Sequence, residues 1–120
     1  MQVSVVPVPV ADQDRAKVFY LETLGFTVTV DAPFGEGERW LMVRPSGGGT
    51  ELALTNSYST FHPGSLQGLM FEVVDVDSVH AALAERGVDL GEGIVTVPWG
   101  RFIRLQDPDG NGLILQQSYR

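Results

Sequence analysis

The chain contains no cysteine. That excludes a disulfide scaffold, a cysteine-ligated zinc or iron–sulfur centre and a thiol nucleophile. Histidine is nearly as scarce: His62 and His80 are the only two. Lysine occurs once, at Lys17, against seven arginines, a bias that hints at a GC-rich bacterial genome. Eight basic residues against fifteen acidic ones leave a net charge of −7 and no basic patch for a nucleic acid. No apolar run approaches the roughly 20 residues needed to span a bilayer. The apolar start, Met1 to Val10, lacks a basic flank and carries Pro7 and Pro9, so it does not read as a secretion signal. The expectation is a cytoplasmic protein with no nucleic-acid or membrane partner.

With 120 residues, 43% of them hydrophobic and 19% charged, the sequence suits one globular domain. Fourteen glycines and seven prolines predict many turns between short strands. Val3 to Val10 reads as a strand, confined by its prolines to an edge or an arm. Asp12 or Asp14 then caps a helix whose apolar face is Ala16, Phe19, Tyr20 and Leu24, ended by Gly25. Phe26 to Val30, Trp40 to Val43 and Glu51 to Leu54 read as strands, with Asp31 to Glu38 a loop. Gly47-Gly48-Gly49 is a hairpin turn, not a phosphate cradle, since neither Lys-Ser or Lys-Thr nor a helix follows it.

The pattern then recurs. Leu69 to Val74 is a strand, Asp75 or Asp77 a cap, and Val79 with Leu83 the inward face of a second helix ending at Arg86-Gly87. Strands follow around Ile94 to Val97, Phe102 to Leu105 and Leu113 to Gln116, the last two joined by the turn Asp107-Pro108-Asp109-Gly110-Asn111. A period of half the chain predicts a duplicated βαβββ unit in an α+β fold. Module one is 1–56, a linker 57–67, and module two 68–120.

Val8-Pro9-Val10-Ala11-Asp12, Asp14-Arg15-Ala16, Phe19-Tyr20 and Leu24-Gly25-Phe26, followed by Phe71-Glu72-Val73, Pro98-Trp99-Gly100 and the Asp107 to Asn111 turn, occur in a fixed order. In that order they resemble the vicinal oxygen chelate superfamily of glyoxalases, bleomycin-resistance proteins and dioxygenases. The resemblance covers nearly the whole chain and implies an incompletely closed, U-shaped sheet with helices outside and a cavity within.

Metal enzymes of that superfamily hold a divalent ion on four strands through His, Glu or Gln. Their ligand positions fall here on Val5, Ala53, Gly68 and Ile114, none with a lone pair to donate. The resemblance therefore implies no metal and no other cofactor, and is nearest the bleomycin-resistance type: small acidic homodimers that sequester a cationic drug, such as an antibiotic. In that type the tryptophan of the Pro-Trp-Gly motif stacks on planar rings, which assigns Trp99 that role, with Phe34 on the other side. Asp31, Glu36 and Glu38 near Phe34 would favour a cation. Trp40, Phe71 and Phe102 complete the expected cavity, together with Glu51 and Glu72. The N-terminal strand is either an arm reaching across a dimer or a plain edge strand. The other reading is an enzyme, either a metal-dependent lyase or dioxygenase with differently placed ligands, or a metal-independent isomerase. The latter would use Glu51 or Glu72 with Tyr58 or Tyr20 as proton donor.

Overall fold

A computed structural model describes all 120 residues, in two units that each carry one helical segment and one mixed four-stranded sheet. The first unit comprises Met1–Leu66 with Pro108–Asn111; the second comprises Gln67–Asp107 with Gly112–Arg120.

In the first unit the strands are β1 (Val5–Pro9), β2 (Thr27–Pro33), β3 (Arg39–Arg44) and β4 (Glu51–Thr55), in the order β1-β4-β3-β2. β1 runs parallel to β4 at the sheet edge, where its prolines cost no ladder bond. β2 continues to Pro33 because its main chain pairs with Arg39 to Leu41, so Asp31, Ala32 and Pro33 are strand residues rather than loop.

Asp12 is the helix cap: its carboxylate accepts from the Arg15 amide at 3.1 Å. Helix α1 (Gln13–Val18) runs on as a π-helical turn, Phe19–Thr23. That turn buries Tyr20 completely, 5.3 Å from the Phe19 ring and 5.8 Å from the Phe26 ring. Beneath the helix lie Val8, Leu41, Val43, Leu52 and Leu54, all buried.

The same unit is locked by Asn111. Its Nδ2 donates to the Pro9 carbonyl at 2.8 Å and its Oδ1 accepts from the Leu66 amide at 3.1 Å, with the side chain fully buried. A buried amide satisfied at both ends fixes where the chain leaves β1 and where the linker ends.

In the second unit β5 (Leu69–Glu72), β6 (Val95–Val97), β7 (Gly100–Gln106) and β8 (Gly112–Ser118) adopt the order β5-β8-β7-β6. This repeats the connectivity of the first sheet, as the duplication predicts. Helix α2 (Val76–Glu85) is capped by Asp75, which accepts from the Asp77 and Ser78 amides. Val76, Leu83 and Leu90 are buried with Ile103, Leu105, Leu113 and Leu115 as the core. Arg101 holds Asp77 of α2 through two bonds of 2.7 and 2.9 Å, which ties the helix to β7.

Candidate functional site

Strand alternation decides which side chains share a face. In the second sheet, Arg101, Ile103 and Leu105 alternate toward α2, with Leu113 and Leu115 opposite Leu105 and Ile103. Phe102 and Arg104 take the other, open face, opposite Gln116 and Ile114. Across β8, Glu72 is opposite Gln116 and Met70 opposite Ile114, so both join the open face. Phe71 is opposite Leu115 and belongs to the helix side, which removes it from the set of aromatics expected together. A one-residue change of phase sends a side chain to the opposite face.

Trp99 occupies the tight turn between β6 and β7. Three features fix its backbone. Pro98 restricts φ before it. The Tyr119 amide donates to the Trp99 carbonyl at 3.0 Å. Gly100 lies so close to β8 that a Cβ there would stand 2.6 Å from the Gln117 carbonyl oxygen. With the backbone fixed in this way, Trp99 is 63% exposed beside Tyr119 (59%) and Met70 (49%). The three rim an open groove of about 510 Å³ whose remaining walls are Gln116, Ser118 and Arg120.

Glu72 borders this groove through Ser118: the Ser118 amide donates to Glu72 Oε1 at 2.6 Å. Hydrogen bonds from the Ser118 side chain and main chain hold the Glu72 carboxyl below its ordinary range, with Gln116 and the charge of Arg120 acting in the same direction. This is the opposite of the raised value that would poise a carboxylate as a general base near neutral pH. The sequence pointed to Trp99 and Glu72 but not to Met70, Tyr119 or Gln116, which converge only through the β5–β8 register and the chain end after β8.

The first unit carries a second exposed aromatic pair. Phe34 and Trp40 stand 6.1 Å apart at 45°. Trp40 shares the open face of its sheet with Met42 and Ala53, and Glu51 is on that face too, ion-paired with Arg44. Glu38 accepts from the Ser57 hydroxyl at 2.7 Å, and Glu36 is exposed. Asp31, expected beside Phe34, is instead bound by Lys17 at 2.8 Å and by Arg39 at 2.8 and 3.0 Å. Its register opposite Leu41 turns it to the helix side. Tyr20 is sealed in the core and cannot serve as a proton donor to a substrate, whereas Tyr58 is exposed.

The four strand positions that the resemblance assigns to metal ligands carry Val5, Ala53, Gly68 and Ile114. Val5 is opposite Glu51, Ala53 opposite Pro7 and Met42, and Ile114 opposite Met70 and Arg104. Alkyl side chains and a glycine offer no donor, and the chain holds no group of three His, Asp or Glu side chains arranged to bind an ion. These residues do not fit the metal centre of the metal-dependent enzymes.

The two repeated βαβββ units define the class: residues 2–115 match the family model, and the chain belongs to the Glyoxalase/Bleomycin resistance protein/Dioxygenase superfamily. Among solved structures, the chain is similar to TnmS3, an antibiotic binding protein from Streptomyces sp. CB03234. The two are 46% identical with a TM-score of 0.92, over 98% of this chain and 96% of that one. A superfamily member from Sphaerobacter thermophilus DSM 20745 is 32% identical with a TM-score of 0.89, over 98% of both chains. The Bacillus subtilis (strain 168) protein YetH is 34% identical over 97% of this chain and 98% of its own length.

Proposed function

We propose that this protein is a metal-independent small-molecule binder that sequesters a planar aromatic, cationic ligand such as an antibiotic, and acts as a cytoplasmic homodimer. The observation that carries the reading is the Trp99 groove: an exposed indole on a fixed backbone turn, flanked by Met70 and Tyr119, with the Glu72 carboxylate bonded to Ser118 of the groove wall. An aromatic side chain has few rotatable bonds to freeze when it covers a flat ligand, and the carboxylate favours a cation. Phe102 lies on the same sheet face as Glu72 and extends that surface. Phe34, Trp40 and Glu51 form the corresponding aromatic and acidic surface of the first unit. The likeness to an antibiotic binding protein at 46% identity supports the ligand class. The donor-free positions Val5, Ala53, Gly68 and Ile114 support binding without a metal.

The test is calorimetric titration with 9-aminoacridine, a planar aromatic cation. Wild-type protein should bind it saturably, and Trp99→Ala should weaken binding about tenfold or more with an unchanged circular dichroism spectrum, the size expected of a central aromatic anchor. Equal affinity in both proteins would remove Trp99 from the site.

A further inference from the structure

The open face of the second sheet is polarised. At one end are Trp99, Glu72 and Ser118. Past the other, at the end of the sheet, is a cavity of about 640 Å³ to which this face contributes Arg104 and Ile114 and the helix side contributes Leu105, Leu113 and Val88. The two ends are joined by Met70, Gln116 and Phe102, which lie between them in the register. Glu72 and Arg104 are separated by two strand spacings and two residues along the strands, about 12 Å between Cα atoms from standard sheet dimensions.

Arg104 is the one cation lining that cavity. Its guanidinium carbon lies 4.9 Å from the centroid of the Phe102 ring, so the planar group rests on an aromatic surface. Its ion pair is with Glu92, 3.1 Å away through Nη1, and the two side chains are 63% and 67% exposed. A pair that open is weak and exchangeable. The other acids lining the cavity are engaged: Asp89 accepts from the Gly91 amide at 2.9 Å, and Asp107 is buried.

The geometry points to Arg104 as the specificity residue of this face. A carboxylate, phenolate or other strong acceptor, at the end of the ligand remote from its cationic group, takes Glu92's place on the guanidinium. The inference rests on the Trp99 reading and narrows it. The preferred ligand is a planar aromatic with a cationic group at the Glu72 end and an acceptor group at the Arg104 end. Guanidinium suits this role because its donors form a rigid fork matched to a carboxylate.

Two probes separate the possibilities: 9-aminoacridine, which has no carboxylate, and 9-aminoacridine-2-carboxylic acid, which carries one pointing away from the protonated ring nitrogen. The wild type should bind the carboxylated probe about tenfold more tightly than its parent, the effect of a charge-assisted hydrogen bond. Arg104→Ala should abolish that preference while leaving the affinity for 9-aminoacridine within about twofold. Glu92→Gln, which removes the competing carboxylate at an exposed position, should widen the preference. Equal binding of the two probes by the wild type would overturn the role of Arg104 and leave the Trp99 reading standing. A uniform loss of both in Arg104→Ala would overturn it too, since Arg104 would then act by supporting Phe102. Binding of neither probe would count against the Trp99 groove itself, and with it this inference.

Discussion

The Ser118 amide stands 2.6 Å from Glu72 Oε1, so the last residue of β8 fixes a carboxylate on the neighbouring strand β5 and keeps it charged beside the Trp99 groove. The side-chain bond from Ser118 adds to the same effect. Removing the charge while keeping the acceptor isolates its role. Glu72→Gln should weaken binding of 9-aminoacridine by about threefold to tenfold at low salt, and by less in 0.5 M NaCl, because the site is open to solvent and screened. Titrations at two ionic strengths read this directly. A loss that does not change with salt would mean that Glu72 acts through shape rather than charge.

Gly100 should be intolerant of any side chain. A Cβ there meets main chain, the Gln117 carbonyl at 2.6 Å and the Ser118 Cα at 3.0 Å, and strands do not yield as flexible side chains do. Gly100→Ala should cost about 2 kcal/mol in urea denaturation, within the range for overpacking a core. Alanine at Gly48, in the open hairpin turn, meets nothing and should cost only about 1 kcal/mol from its left-handed φ of 78°. A smaller penalty at Gly100 than at Gly48 would show that β7 and β8 can separate there.

Asn111 offers a second stability test. Asn111→Ala removes the acceptor of the Leu66 amide and the shorter of two bonds to the buried Pro9 carbonyl, which keeps the Gly64 amide at 3.4 Å. The expected loss is about 2–3 kcal/mol. Urea denaturation checks the size, and hydrogen exchange of the Leu66 amide, which should accelerate more than that of β7 amides, checks the location.

Asp31 sets an acid-dependent contribution. Arg39 and Lys17 hydrogen bonds drive its carboxyl far below the ordinary 3.8. A carboxyl depressed on folding stabilises fully above its unfolded pKa, and the benefit fades as pH falls from there through the folded value. Asp31→Asn should therefore be less stable than wild type by about 1 kcal/mol at pH 7, a figure limited by solvent screening of partly exposed groups. The difference should persist to about pH 4.5 and shrink below 3.8. Paired urea melts across that range measure it, and a gap that grew toward acid would contradict the ion-pair network.

Much of the architecture is legible in the sequence, because the signals are local. β-branched runs mark β1, β2 and β6, Asp12 and Asp75 sit where caps are needed, and the Asp107 to Asn111 turn separates β7 from β8. The site is less legible, for identifiable reasons. Leu69, Met70 and Phe71 are all apolar, so alternation gives β5 no phase, and only pairing with β8 shows Phe71 turning to the helix and Met70 to the groove. Asp31 looks like a loop acid because Pro33 and Gly35 follow it, yet pairing with Leu41 carries the strand past it. Tyr119 enters the groove through one long-range bond to Trp99, which no local pattern encodes. Trp99 itself was readable because proline and glycine on either side announce a tight turn.

The most direct measurement is fluorescence of the Trp40→Phe variant, in which Trp99 is the sole tryptophan, titrated with 9-aminoacridine after exhaustive dialysis against EDTA. The account predicts saturable quenching with one class of site, unchanged when Zn²⁺, Ni²⁺, Fe²⁺ or Mn²⁺ is restored. Quenching that appears only after a metal is added would contradict it, and would mean that donor side chains elsewhere than at Val5, Ala53, Gly68 and Ile114 build a metal site in this fold.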